Sequence, residues 1–434
     1  MKKFIFVSVI LFLTLPCYAD EINLEFFNSF NDCYLPKYVD MAIKENHSIK
    51  EITAKVQEYR HEVQSSFGKE LPILTMNASY LGFSVPKLDN FSLSQNSFIL
   101  PFIFAYEPDL LLKNRDKTKS VKKEYEAVKA EEKSAKLSLL GEVSAAYINI
   151  LQYDELIKIQ ENIIKNQSEQ LEKIKLKYQY GIATLDEVRS SNQELVEDEN
   201  TFKNLSAQRQ TVLNDFAILI GLSSDRTNEI ERGNLKNFEY TKTIPEDVQS
   251  DVIFKRPDIK EIEYKMEKAQ IDTKIAKKEF FPSFGITGAW IFNTISHKNF
   301  FNWDNSIVSL MVGATQDLFR GGVKLANLRI KKDKYNALFE KYTQKGLVAV
   351  KEVNTSLCII NADTDVDKNL DNKMNLEKEK LSNSERKLKY GTISNLELLQ
   401  EIEKSDRLQQ TKIKAKAKRL IDYTTLYKAC GGDL

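Results

Sequence analysis

QYGIATLDEV at residues 179–188 and KYGTISNLEL at residues 389–398 each interrupt a polar helical stretch with the same Tyr-Gly pair, 210 residues apart. Glycine tolerates the positive φ that closes a helix, so Gly181 and Gly391 are predicted as C-terminal stops. Thr184 and Ser394 follow where they can cap a returning helix, with Glu187 and Glu397 three residues later in capping-box position. Both stretches therefore read as the tips of helix-turn-helix pairs.

The same offset recurs along the chain. Ile49-Lys50-Glu51-Ile52 returns as Ile259-Lys260-Glu261-Ile262, Lys55 as Lys265, Pro72 as Pro282, Leu171 as Leu381, Arg209 as Arg419 and Gly221 as Gly431; with a slip of two, Asp109-Leu110 returns as Asp317-Leu318. One unit has been used twice, which predicts two similar halves, residues 20–222 and 251–434, joined by a segment at 223–250.

Each unit has one internal order. Helices are expected over about 36–70 and 257–280, stopped by Pro72 and Pro282. ILTMNASYLGFSV and SFGITGAWIFNTIS then turn to β-branched, aromatic and small residues with partial alternation, the mark of strands. Return strands near 97–108 and 306–318 complete one hairpin per unit, at about 73–108 and 283–318, across the polar links PKLDNFSLSQ and HKNFFNWDN. From Leu112 to Gln179, Val121, Tyr125, Val128, Ala135 and Leu139 recur at coiled-coil intervals. Such a helix is about 100 Å long. Return helices are expected over about 186–220 and 396–428.

With 434 residues and 42% apolar content the chain can bury a large core. Its 63 basic and 62 acidic residues are interspersed and leave no electrostatic footprint for nucleic acid. Residues 1–19 read as a signal peptide, with Lys2 and Lys3 before the apolar stretch Phe4 to Leu15 and a cleavage site before Asp20. No later run of about 18 apolar residues occurs, so any membrane passage must be through a closed strand barrel. Two hairpins are too few to enclose water. They form either a small soluble sheet or one share of an oligomeric barrel, and the second option demands a symmetric ring.

Cys17 stands where a lipoprotein would be cleaved, but Thr14-Leu15-Pro16 is a poor lipobox, so lipidation at Cys17 and its removal with the leader both stay open. Cys33, Cys358 and Cys430 are too dispersed for a metal site, and an oxidising compartment permits a Cys33 to Cys430 bridge. The three histidines have no ligand or triad spacing, and no GxSxG, HExxH or Walker sequence appears. No catalytic residue, metal or cofactor is expected. Phe319-Arg320-Gly321-Gly322 occurs once and reads as a turn between strand and helix.

Four stretches carry a family resemblance: FFNSFNDCYLPKYVDMAIKENHSI from Phe26, EPDLLLKNR from Glu107, RPDIKEIEYKMEKAQIDTKIAKKEFFPSFGITGAW from Arg256, and LFRGGVKLANL from Leu318. In this order, with the two Tyr-Gly tips, the chain resembles outer-membrane efflux proteins of the TolC type, specifically the outer-membrane factors of resistance-nodulation-division pumps. The resemblance implies a mainly α protein with β: a homotrimer with a twelve-strand outer-membrane β-barrel, continued by a periplasmic α-helical barrel. It implies a passive exit duct in outer-membrane lipid, served by a periplasmic adaptor and an inner-membrane transporter.

Acidic residues after the tip glycines would line the closed end, here Asp186, Glu187 and Glu397. Three-fold symmetry would bring such carboxylates into a ring, where repulsion and cation binding can act on the aperture. Gln400 stands where some relatives have a further acid and Ile393 where some have a gate-locking Arg, so no salt-bridge latch is transferred. Phe281, Trp290, Phe292, Phe300, Phe301 and Trp303 would lie on or beside the barrel, as interfacial aromatics or as ordinary strand packing. The alternatives are a duct for type I protein secretion, or an exported coiled-coil spacer without a channel.

Overall fold

The computed structural model describes residues 22, 24–88, 91–244, 254–294 and 301–433; the leader with Cys17, and Phe300, lie outside them. In chain order the elements are α1 (Glu25–Asn28), α2 (Tyr34–Glu45), α3 (His47–Gly68), β1 (Ile73–Met76), β2 (Ser79–Leu88), β3 (Phe91–Tyr106), α4 (Lys113–Gln179) and α5 (Leu185–Leu219). A 3₁₀ turn at Ser224–Glu229 leads on to α6 (Pro257–Lys278), β4 (Ser283–Thr294), β5 (Ser306–Thr315), α7 (Val323–Lys389) and α8 (Asn395–Ala429).

Lengths repeat with the sequence. α4 and α7 each have 67 residues, and α5 and α8 each have 35. At each tip the glycine closes a Schellman motif: Gly181 sits at φ 70°, and the Ile182 N–H donates to the Lys177 carbonyl at 2.8 Å. Gly391 does the same at φ 71°, with Thr392 N–H on Lys387 at 2.9 Å.

Two expectations change. The helix expected over 36–70 breaks at Asn46, whose extended backbone and side-chain oxygen, accepting from Ser48 and Ile49 N–H, start a new helix. The polar link expected over 86–95 is largely strand, because the Phe-Ser-Leu-Ser alternation after Asn90 has the two-residue period that polarity alone conceals. Cys33, Cys358 and Cys430 are free thiols, so the bridge between Cys33 and Cys430 is absent.

The five strands make an antiparallel sheet four strands wide. β1 and β2 pair successive parts of β3, β3 pairs β4, and β4 pairs β5. Register places Leu100, Phe102 and Phe104 on one face with Ile286, Trp290 and Phe292 of β4 and Val308, Leu310 and Val312 of β5. The opposite face alternates Ala105, Thr287, Ala289, Ser309 and Gly313 with Ile103, Ile291 and Met311. Among the described residues no strand pairs the outer sides of β1, β2 and β5, and every residue of β1 is exposed.

The main core lies midway along the helices. Phe26 and Phe27 of the N-terminal segment are fully buried there; Phe26 stacks on Tyr427 at 4.2 Å, and Tyr38, Tyr147, Phe216 and Phe238 complete the cluster. Asp32 caps α2 through Tyr34 and Leu35 N–H and accepts from the Tyr147 hydroxyl at 3.1 Å. That hydroxyl in turn accepts from Gly233 N–H, and its burial raises its pKa.

The two copies lock their ends in the same way with different chemistry. Asn46 Nδ2 donates to the Leu219 carbonyl at 2.9 Å, and 210 residues on Arg256 Nη1 donates to the Ala429 carbonyl at 3.0 Å. Gly221 and Gly431 follow at positive φ, and a Cβ on Gly221 would stand 2.7 Å from the Glu45 carbonyl oxygen. Both the turn and the close approach require glycine there.

Candidate functional site

The two tips lie side by side at the end of the helices remote from the sheet. Gln170 of α4 donates to Glu403 of α8 at 3.0 Å, and Lys177 lies close enough to influence Glu397. Tyr180, Ile182 and Tyr390 project from the tips and are exposed.

The acidic residues expected at this end fall into different settings. Asp186 is exposed in the first turn of α5, 3.5 Å from Arg189. Glu187 donates its backbone N–H to Thr184 Oγ1 at 3.3 Å, while its carboxylate has no hydrogen-bond or ion-pair partner among the described residues. Glu397 is engaged. Its Oε2 accepts from the Ser394 N–H at 2.7 Å and from Ser394 Oγ at 3.1 Å, closing a complete capping box. The Ser394 backbone N–H, then its hydroxyl, hold the Glu397 pKa below the usual carboxylate value, with Lys177 adding to the effect.

Beside Glu397, α7 and α8 leave a shallow groove of about 500 Å³ lined by Leu376, Lys380, Ile393, Glu397, Gln400 and Glu401. Ile393 and Gln400 both line it. Lys380 bridges across it to Glu401, and this ion pair, together with Lys404, holds the Glu401 pKa down.

Above the tips a buried polar network joins the two helix pairs. Asp198 of α5, 3% exposed, accepts from Gln160 of α4 at 3.1 Å and from Arg407 of α8 at 3.0 Å. Arg407 Nε also donates to Glu403 at 2.8 Å, and Gln410 donates to Gln160 at 2.8 Å. Sequence gives no signal for this network, because its members look like ordinary charges on polar helices, and the contacts that join the two helix pairs span 209 and 250 residues.

At the other end of the molecule, Trp290 packs on Phe292 and approaches Trp303 at 6.3 Å, while Phe292 meets Phe301 at 5.4 Å. The described aromatics of this set are therefore not alike: Phe292 is buried against the sheet, whereas Phe281, Phe301 and Trp303 are exposed on or beside it.

The described residues contain no helix long and apolar enough to cross a membrane and no cluster of potential metal ligands. The family model of outer membrane efflux proteins matches residues 38–222 and 249–432. OprJ of Pseudomonas aeruginosa is 23% identical over 92% of this chain and 84% of that protein. The cation efflux system protein CusC of Escherichia coli K12 is 22% identical over 93% and 87%. The fold superposes on a crystal structure of CusC at TM-score 0.82, with 18% identity and 96% of both chains covered. For the Campylobacter jejuni CmeC outer membrane channel the TM-score is 0.85, with 18% identity over 95% and 88%.

Proposed function

Because this chain belongs to the outer membrane efflux protein family, we propose that it is the outer-membrane exit duct of a tripartite efflux system, extending from the outer membrane through the periplasm. The observation that carries this reading is a sheet with two open edges and one large apolar face, set at one end of helix pairs about 100 Å long. Open edges leave backbone groups unpaired, which hydrocarbon does not tolerate, so the sheet must close with further copies. Three copies of a sheet four strands wide supply the twelve strands of the family's barrel.

The partners that follow are a periplasmic adaptor and an inner-membrane transporter, which supplies the energy; the duct itself performs no chemistry and needs no cofactor. The spacer alternative falls with the family membership. Relatives at 22–23% identity are named for cations, solvents and antibiotics, so the fold does not name the cargo, and efflux is favoured over protein secretion.

The tips are the aperture in this reading, with Gly181 and Gly391 making the turns and Asp186, Glu187 and Glu397 facing the constriction. Glu187 carries the weight, because Ser394 already holds Glu397. Detergent-purified protein should show three-fold end views by negative-stain electron microscopy, and compact monomers would defeat the duct. In planar bilayers Glu187→Ala should relieve divalent-cation block several-fold and Glu397→Ala less. Equal, unchanged block in both would remove these carboxylates from the aperture.

A further inference from the structure

Above the second tip, α7 and α8 are joined by charge. Asp363, Asp367 and Asp371 follow one another at intervals of four, which puts them on one stripe of α7. α8 returns with KIKAKAKR at residues 412–419. Lys418 Nζ stands 2.5 Å from Asp363, Arg419 Nη1 stands 2.6 Å from Asp367, and Lys412 pairs with Asp371. Nearer the tip, Lys380 of α7 pairs with Glu401 of α8, one turn beyond Glu397. Lys418 also meets Asp422 at 3.1 Å and Lys404 meets Glu401 at 3.0 Å, so these rungs connect to further charges along α8.

The first copy closes its hairpin by other means. At the positions 210 residues earlier, α4 has Tyr153, Ile157 and Glu161 in place of the three aspartates, and α5 has Phe202 and Gln208 in place of Lys412 and Lys418. Gln170 and Ser191 stand for Lys380 and Glu401. Arg209, the counterpart of Arg419, keeps a pair with Asp154 at 3.3 Å. Between Asp363 and Lys380, α7 buries Met374 alone, whereas the matching stretch of α4 buries Leu156, Ile157, Ile159 and Ile163. Charges on a merely solvated face need no sorting by sign, yet here the acidic stripe of α7 meets the basic run of α8.

We propose that the second hairpin is an ionic clasp whose hold loosens as ionic strength rises, while the first hairpin is closed by apolar packing and keeps its hold. One exposed ion pair contributes little, but rungs in series act on a single interface. Salt weakens them all together, because the Debye length falls from about 30 Å at 0.01 M to about 3 Å at 1 M. Apolar burial is not screened in this way. The clasp lies within one chain, so it goes beyond the duct reading and does not depend on it. Where the chain does form a duct, the Lys380–Glu401 rung borders the groove beside Glu397, and loosening there reaches the first turn of α8.

Hydrogen–deuterium exchange on the full-length protein in detergent, read by mass spectrometry at about 0.05 M and about 1 M sodium chloride, follows both hairpins at once. Peptides covering 360–375 and 410–422 should exchange about three-fold faster at high salt. Those covering 150–165 and 200–212, the same places in the first copy, should keep their rates. Asp371→Lys sets like charges against each other at one rung and should speed exchange in the second hairpin at low salt. Adding Lys412→Asp reverses the rung and should restore both the protection and its loss at high salt. Equal responses in the two hairpins, or no response in either, would overturn the clasp. So would a reversed rung no better protected than Asp371→Lys alone.

Discussion

α4 and α7 have the same length, the same place in a duplicated unit and the same type of tip, yet they live in different surroundings. α4 packs against α2, α3, α5, α6 and α8, and it buries a nearly continuous series from Leu137 to Leu171. α7 packs on α6 and α8, and its buried residues are Ala349, Val353, Ser356, Ile360, Met374 and Ser384. Leu347, Val350, Ile359, Val366 and Leu376 remain exposed along it. Within one chain the first copy is a core helix, and the second is a wall lacking half of its cover. Duplication preserved the element, while packing within the chain divided the roles.

The largest effect should separate the two helices directly. Leu151 is 1% exposed on α4, and Leu151→Ala should cost about 2–5 kcal/mol, read as a lowered thermal unfolding midpoint. Leu347→Glu on α7 should leave the fold of the chain intact but dissociate the trimer, read by size-exclusion chromatography with light scattering. A trimer that survives this charge would mean that the exposed face of α7 looks onto water rather than onto another copy.

A smaller effect distinguishes the locks at the two N-terminal helices. In the first copy Asn46 is neutral, whereas in the second Arg256 pairs with Asp258 at 3.0 Å and Glu352 at 2.8 Å, with Lys345 3.2 Å from Asp258. Burial raises the Asp258 pKa, but Arg256 and Lys345 outweigh it and hold the carboxyl below its ordinary value. A folded pKa below the unfolded one stabilises above about pH 3.9, and that stability is lost as pH falls through the folded value. Asp258→Asn should therefore cost about 1–3 kcal/mol near neutrality, and the difference from the parent should shrink below pH 4. A difference independent of pH would mean that Asp258 acts through packing alone.

What could be read from sequence follows the range of the forces concerned. The tips at Gly181 and Gly391, the caps at Thr184 and Ser394, and the bounds of the long helices are set by residues within one turn, so they were legible. Asn46 carried a local signal too, but continuous helical spacing on both sides hid the break. The alternation through Phe91 and Leu93 was hidden by the serines between them. The Asp198–Arg407 network and the bare side of α7 were not legible, because each depends on what the folded chain brings near or fails to bring near. For the site, sequence puts Asp186, Glu187 and Glu397 in the first turns after the tip glycines, but it could not tell the unengaged Glu187 carboxylate from the engaged Glu397.

That last difference gives the smallest effect and the finest test. Thr184 and Ser394 hold the same position, yet the Thr184 hydroxyl accepts one bond from Glu187 N–H, whereas Ser394 both accepts from Glu397 N–H at 3.2 Å and donates to the carboxylate. Loss of such a cap costs about 1 kcal/mol, so Ser394→Ala should lower the melting midpoint slightly and Thr184→Ala by less. Ser394→Ala also removes one of the donors that depress the Glu397 pKa, so Glu397 should take up a proton at higher pH than in the parent. If the aperture carries this carboxylate, the pH at which channel block is half relieved should move up in Ser394→Ala and stay fixed in Thr184→Ala. Equal shifts would show that the two tips work as one electrostatic unit, and no shift in either would make Ser394 and Glu397 a structural cap alone.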